Sequence, residues 1–188
     1  MDIYKVIDEL KDNYPFCECI YGDPKMIPFS DKIFTICQTD CVRYGKSWAC
    51  PPHAGSIEDN IKRVGAYEHF FIFTTVWDVE DAWNAELCLE VKKEHEAVTR
   101  QFREELFSAL ALDLKEVSEM EHPPVYILSA GCTICDECAC PLEPCRHPTE
   151  RLMTMESHGI VIIQLMEELG ITLSFGSNSV VYSTMILF

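Results

Sequence analysis

His69-Phe70-Phe71-Ile72-Phe73-Thr74-Thr75-Val76-Trp77 is an uncharged run of aromatic and β-branched residues, a composition that suits a buried strand. Ahead of it, Ser56 to Val64 predicts a helix, with Ser56 as N-cap, Glu58 and Asp59 in the first turn and Gly65 closing it. Behind it, a long helix is expected over about Asp81 to Leu110. Leu87, Val91, Val98, Phe102, Leu106 and Leu110 share one face there, while Lys92 with Glu96 and Glu96 with Arg100 form i,i+4 pairs on the others. Pro123 and Pro124 precede a second strand, Val125 to Ser129, which runs straight into Gly131. Gly159 to Leu169 reads as a helix stopped by Gly170, and Ile171 to Phe175 and Val180 to Leu187 as strands around the Gly176-Ser177-Asn178 turn. At the other end, Asp2 to Asn13 carries a helical stripe of Ile3, Val6, Ile7 and Leu10 that Pro15 ends. Cys17 to Pro28 is turn-rich, and Lys32 to Cys37 is expected as a brief strand. This β-α-β-loop-α-β-β order predicts an α/β (α+β mixed) chain, a single domain over 1–188 with a mixed sheet flanked by helices and two cysteine-rich metal-binding loops. Residues 1–36 form an N-terminal extension packed on it.

The first of the two cysteine segments to weigh follows that second strand. Cys132, Cys135, Cys138 and Cys145 stand in a C-x2-C-x2-C-x6-C run after Gly131. Thiolates every third residue in a tight loop can turn toward one centre, the spacing by which a short loop wraps a cubane iron-sulfur cluster. Zinc sites more often split into two C-x2-C pairs, so the compact triple favours iron-sulfur, with zinc as the alternative. Cysteines two residues apart in a tight loop are poor disulfide partners. The weaker segment is Cys37-x3-Cys41-x8-Cys50, followed by Pro51 and Pro52. Its three thiolates could hold a second cubane, with Cys17 or Cys19, a remote residue or an exchangeable ligand on the fourth iron. Packed free thiols are the plain alternative. Cys88, inside the long helix, reads as core filler.

Composition narrows the chemistry. The chain has 188 residues, 48 % of them hydrophobic, enough for a core without staples, so its 11 cysteines ask for a chemical explanation. Its N-terminus, MDIYKVIDELKDNY, lacks the apolar segment of a secretory signal, and no apolar run approaches the roughly 20 residues of a bilayer span. A cytoplasmic protein with reduced thiols, away from membranes, is expected. The net charge of -16 repels phosphate backbones. Nucleic acid is therefore not expected as a partner, and an acidic face suits steering of a redox partner protein. Arg43, Lys46, Arg146 and Arg151 lie near the cysteines as counter-charges to an anionic cluster or as ordinary surface cations. His53 and His147 adjoin ligand positions, and Tyr44 and Trp48 are candidates to shield a cluster. No P-loop, G-x-S-x-G, H-E-x-x-H or G-x-G-x-x-G motif occurs.

Tyr44-Gly45-Lys46-Ser47-Trp48-Ala49-Cys50-Pro51-Pro52, the Gly131 to Pro148 block and Glu156-Ser157-His158-Gly159-Ile160 together resemble a cysteine-rich family described as predicted metal-binding proteins, domain of unknown function 2284. The resemblance runs from about Cys37 to the C-terminus. It implies a metal site of iron-sulfur type in an anaerobic cytoplasm, reaching Cys37, Cys41, Cys50, Cys132, Cys135, Cys138 and Cys145, and it implies no particular reaction. The expectation is an iron-sulfur protein with one or two [4Fe-4S] clusters that exchanges single electrons with a partner redox enzyme in an anaerobe. If the chain is itself an enzyme, it is an iron-sulfur oxidoreductase component. One alternative is an enzyme whose Cys37, Cys41 and Cys50 site leaves an iron open to a small substrate or second metal. Another is a zinc-stabilised interaction module.

Overall fold

The computed structural model describes residues 2–171 and 176–188. It is an α+β chain with a five-stranded mixed sheet in the order β1-β2-β5-β3-β4. The strands are β1 (Cys19–Gly22), β2 (Phe70–Asp78), β3 (Tyr126–Ser129), β4 (Met153–Thr154) and β5 (Ser179–Leu187). The helices are α1 (Ile3–Lys11), α2 (Lys32–Asp40), α3 (Ile57–Val64), α4 (Ala85–Ala109), α5 (Leu114–Glu119) and α6 (Ile162–Glu168). Among the described residues only β3 and β4 pair in parallel; the other neighbours are antiparallel.

The uncharged run around Phe71 is a strand because both of its faces are covered. Phe71 and Phe73 point into one apolar layer with Val6 and Ile7 of α1 and Phe102 and Leu106 of α4. Phe70 and Ile72 point into the other, with Val64 of α3 and Leu165 and Met166 of α6. The two-residue period of a strand sends alternate residues to opposite layers, so a strand between two helical layers needs continuous apolarity. Burying each of these large side chains contributes about 1.5–3 kcal/mol. Gly22 sits where β1 crosses the Phe70 ring: a Cβ there would lie 2.3 Å from the ring carbon.

Helices α1 and α3, and the strands β2, β3 and β5, follow the sequence. Helix α5 and strand β4 have no counterpart in it, and other segments depart from it. Lys32–Cys37, expected as a strand, is the start of helix α2. Its Ile33, Phe34, Ile36 and Cys37 satisfy i, i+3, i+4 spacing equally well, the ambiguity inherent in a short apolar run, and the Thr39 hydroxyl bonds back to the Thr35 carbonyl at 3.0 Å. The long helix begins at Ala85 rather than Asp81. Asp81 accepts from the Trp83 amide in a turn, and Asn84 caps the amides of Glu86 and Leu87 at 2.9 and 3.3 Å. The last helix starts at Ile162, since Glu156–His158 form a separate 3₁₀ turn and Ile160 bridges to Phe29. Strand β1 lies inside the stretch expected as turns. The strand expected over 171–175 falls, beyond Ile171, outside the described residues.

A polar seam crosses the layer between α4 and the sheet. The His95 ring, fully buried, meets the hydroxyl of Thr75 at 2.7 Å through Nδ1 and those of Thr184 and Ser129 at 3.0 and 3.2 Å through Nε2. Thr99 and Ser129 reach Thr184 in turn, at 3.0 and 2.8 Å. Burial holds the His95 ring neutral, its pKa lowered to about 4. Hydroxyls from three strands and a helix thereby register α4 against the end of β3, from which the cysteine loop leaves.

Candidate metal centre

The loop of residues 130–152 is clamped at both ends to the sheet edge. Leu128 pairs with Met153 and Ser129 with Thr154, and an isolated bridge joins Ala130 to Thr154. Gly131 takes φ 119°, a region side chains disfavour, and a Cβ there would lie 3.1 Å from both Lys92 Nζ and Thr154 Cγ2. The chain therefore turns sharply against α4 just before Cys132.

All four cysteines of this loop, Cys132, Cys135, Cys138 and Cys145, line one cleft, whose opposite wall is Ser47, Trp48 and Ala49 from the other cysteine segment. The cysteines form no disulfide. Three bonds tie the segments together. Arg43 Nη1 donates to the Cys132 carbonyl at 3.0 Å, Trp48 Nε1 to the Glu143 carbonyl at 3.0 Å, and the Cys140 thiol to the Gly45 carbonyl at 3.8 Å. Trp48, a candidate shield, is thus a wall of the cleft, with the His53 ring edge-on to it at 5.1 Å. Arg146, His147 and Arg151 complete the lining. His147 also meets Glu150 at 3.2 Å, and Arg146 donates to the Glu137 carbonyl.

Burial raises the Cys132 thiol above its ordinary pKa, and hydrogen bonds to its sulfur from the amides of Ile134 and Leu152 oppose that rise. Amide donors aimed at a sulfur stabilise its anionic, metal-binding form. In the other segment, Cys37 lies in the last turn of α2, Cys41 caps that helix, and Cys50 closes the turn begun at Ser47. Burial pushes the Cys50 thiol up to about 11, against a hydrogen bond from Ser47, and Cys41 acts electrostatically on both Cys37 and Cys50. Cys17 and Cys19 stand apart from these contacts. Cys19 is on edge strand β1, packed against the layer of Phe71 and Phe73, with Lys11, Asp12, Glu18 and Cys17 as its ionisable neighbours. Cys88 donates to the Ala82 carbonyl at 3.3 Å, a packed thiol near the start of α4.

The residue that composition concealed is Glu96. The i,i+4 pairs Lys92–Glu96 and Glu96–Arg100 form, at 2.8 and 3.5 Å, but Glu96 is fully buried, not on a solvent face. Its second oxygen accepts from the Thr133 amide and hydroxyl, both at 2.7 Å. A carboxylate taken out of water needs this many partners, and here they include the residue next to Cys132. A cation-acid-cation triplet in mid-helix is the only sequence signal for it, and such triplets usually lie on solvated faces.

The donor chemistry fits a thiophilic metal group: four free thiols on one cleft, amides on one sulfur, and arginines around it. Among the described residues, no three His, Cys, Asp or Glu side chains are gathered closely enough to hold a single ion. Also among the described residues, no helix is long and apolar enough to cross a membrane.

The model of a family described as predicted metal-binding protein (DUF2284) matches residues 23–188. No curated protein and no solved structure matches the chain.

Proposed function

This chain belongs to the DUF2284 family of predicted metal-binding proteins, and from that premise we propose that it is an iron-sulfur protein whose Cys132, Cys135, Cys138 and Cys145 hold a [4Fe-4S] cluster for single-electron exchange with a partner redox protein. The observation that carries this reading is that all four thiols of the C-x2-C-x2-C-x6-C run line one cleft. Three thiols at two-residue gaps suit a polynuclear iron-sulfur group better than the two separate C-x2-C pairs more usual of zinc. When bound, such a cluster supplies a reversible one-electron couple.

The chain's own residues would set the conditions of that couple. Trp48 and Ala49 wall the cleft, the Ile134 and Leu152 amides donate to the Cys132 sulfur, and Arg146 and Arg151 place positive charge beside the thiolates. The amide donors and the arginine charges favour the reduced, more negative state and raise the potential, whereas the apolar wall, by excluding water, acts against them. Val42 and Leu142, 82 and 92 % exposed, project from the two bridged cysteine segments, with Asp40, Asp136, Glu137 and Glu143 exposed in the same segments. Exposed apolar side chains and carboxylates on these two segments are what a transient electron-transfer partner bearing basic residues would meet.

The Cys37, Cys41 and Cys50 segment, with its thiols on the end of α2 and the turn that follows, would hold a second cluster of the same type, with one iron open to a small ligand if no fourth side chain joins it. The test is anaerobic purification followed by EPR of the reduced protein, in wild type, Cys135→Ala and Cys41→Ala. The reading expects Cys135→Ala to abolish a signal that Cys41→Ala leaves in place. Stoichiometric zinc, without an absorption band near ~400 nm from thiolate-to-iron charge transfer, would replace it with a zinc-stabilised module.

A further inference from the structure

Outside the cysteine cleft, the chain builds a cavity of about 260 Å³ between α4, α5, β3 and the end of the cysteine loop. Three of the chain's six arginines, Arg63, Arg103 and Arg151, line it, although acidic residues outnumber basic ones 31 to 15. Glu121, exposed, is the only carboxylate among the residues of its wall.

Arg103 is the unusual member. It projects from α4 and is only 5 % exposed, yet its Nε and Nη2 have no hydrogen-bond partner among the described residues. Buried donors are ordinarily paired, and an unpaired buried guanidinium is costly. Nε and Nη2 form one edge of the guanidinium plane, whose two parallel N–H groups match the two oxygens of a carboxylate or phosphate. Arg63 lies over the Tyr126 ring, its Cζ 5.8 Å from the centroid, and both Arg63 and Arg151 act electrostatically on the Tyr126 hydroxyl. Both charges therefore act on the same hydroxyl of the cavity wall. The Tyr126 hydroxyl is itself fixed on His158 Nε2 at 2.7 Å.

We propose that this cavity binds a small molecule through an oxyanion, a carboxylate or a phosphate group, held by Arg103 and flanked by Arg63 and Arg151. Arg151 lines both this cavity and the cysteine cleft, so the two sites share one wall residue. The site rests on the arginines and does not depend on which metal those cysteines take.

The test is calorimetric titration of the anaerobically purified full chain, at low ionic strength in a cationic amine buffer, with inorganic phosphate in one arm and succinate in the other. Saturable binding is expected in at least one arm, and the arm that binds identifies the group. Arg103→Gln should weaken it about tenfold or more, the loss of a charge-assisted hydrogen bond, and Arg151→Gln should weaken it as well. Lys5→Gln, on the exposed face of α1, should leave it unchanged. If Arg103→Gln does not fold, Arg151→Gln decides. No binding in either arm, or undiminished affinity in the folded arginine variants, overturns the site. Iron and sulfide counted on the same samples separate the two readings: wild type that binds anion but carries no iron retains this site and refutes the cluster.

Discussion

Glu96 Oε2 accepts hydrogen bonds from both the amide and the hydroxyl of Thr133 at 2.7 Å, so a carboxylate in the middle of α4 holds the backbone beside Cys132. Lys92 and Arg100 bracket that carboxylate one turn away on either side. Helix α4 is thereby the platform for the cysteine loop, and its position is set by the His95 seam one residue earlier.

Glu96→Ala should destabilise the fold by about 3–5 kcal/mol, because it leaves two largely buried cations without their counter-charge. Thr133→Val removes the hydroxyl bond and leaves the amide bond, so a smaller loss of about 1.5–3 kcal/mol is expected. Denaturant titration measures both. Metal content should fall with each, more in Glu96→Ala; full stability with Glu96→Ala would mean the carboxylate is not what anchors the loop.

Gly131→Ala places a side chain at φ 119° against Lys92 and Thr154. The strained backbone should cost about 1–3 kcal/mol. The same change tilts the chain entering Cys132, so metal bound per chain should drop even in molecules that remain folded. Circular dichroism and metal analysis on one preparation check the two effects separately.

Acid should destabilise the protein through two buried imidazoles. His95 and His158 are fully buried, and burial lowers both from 6.5 to about 4. His158 donates from Nδ1 to the Thr154 carbonyl at 2.9 Å and accepts the Tyr126 hydroxyl on Nε2. A base with a depressed folded pKa binds protons more readily when unfolded. Stability is thus full above about pH 6.5 and declines as pH falls toward 4, by up to about 3 kcal/mol for each ring. His158→Gln should flatten the profile between those values; an unchanged slope would show that His158 does not stay neutral.

The sheet and its flanking helices were readable because burial leaves a direct trace: Phe70 to Phe73 are apolar on both faces, and Ser56, Gly65 and Pro15 mark helix ends by local chemistry. The cysteine loop was readable from spacing alone. Helix α2 was not, since Ile33 to Cys37 satisfies both periods and neighbouring contacts decide. Strand β4 was not, since two residues show no period at all. Glu96, Thr133 and Arg103 were hidden for a different reason: their meaning lies in burial, and Lys92, Glu96 and Arg100 make the same i,i+4 pattern on an exposed helix as on a covered one. The contact of Ser47, Trp48 and Ala49 with the four cysteines joins segments more than 80 residues apart, which no local pattern records.

Trp48 is expected to protect the cleft. Trp48→Ala removes both a wall and the Nε1 bond to the Glu143 carbonyl, so the cluster absorbance should bleach faster in air than in wild type, while anaerobic metal content changes little. Trp48→Phe, which keeps the ring, should fall between them.

The most direct measurement is anomalous diffraction at the iron edge from crystals grown without oxygen. An iron peak is expected within the cleft bounded by Cys132, Cys135, Cys138 and Cys145, in contact with all four sulfurs. A zinc peak there, or a cleft whose sulfurs touch no metal, would contradict it.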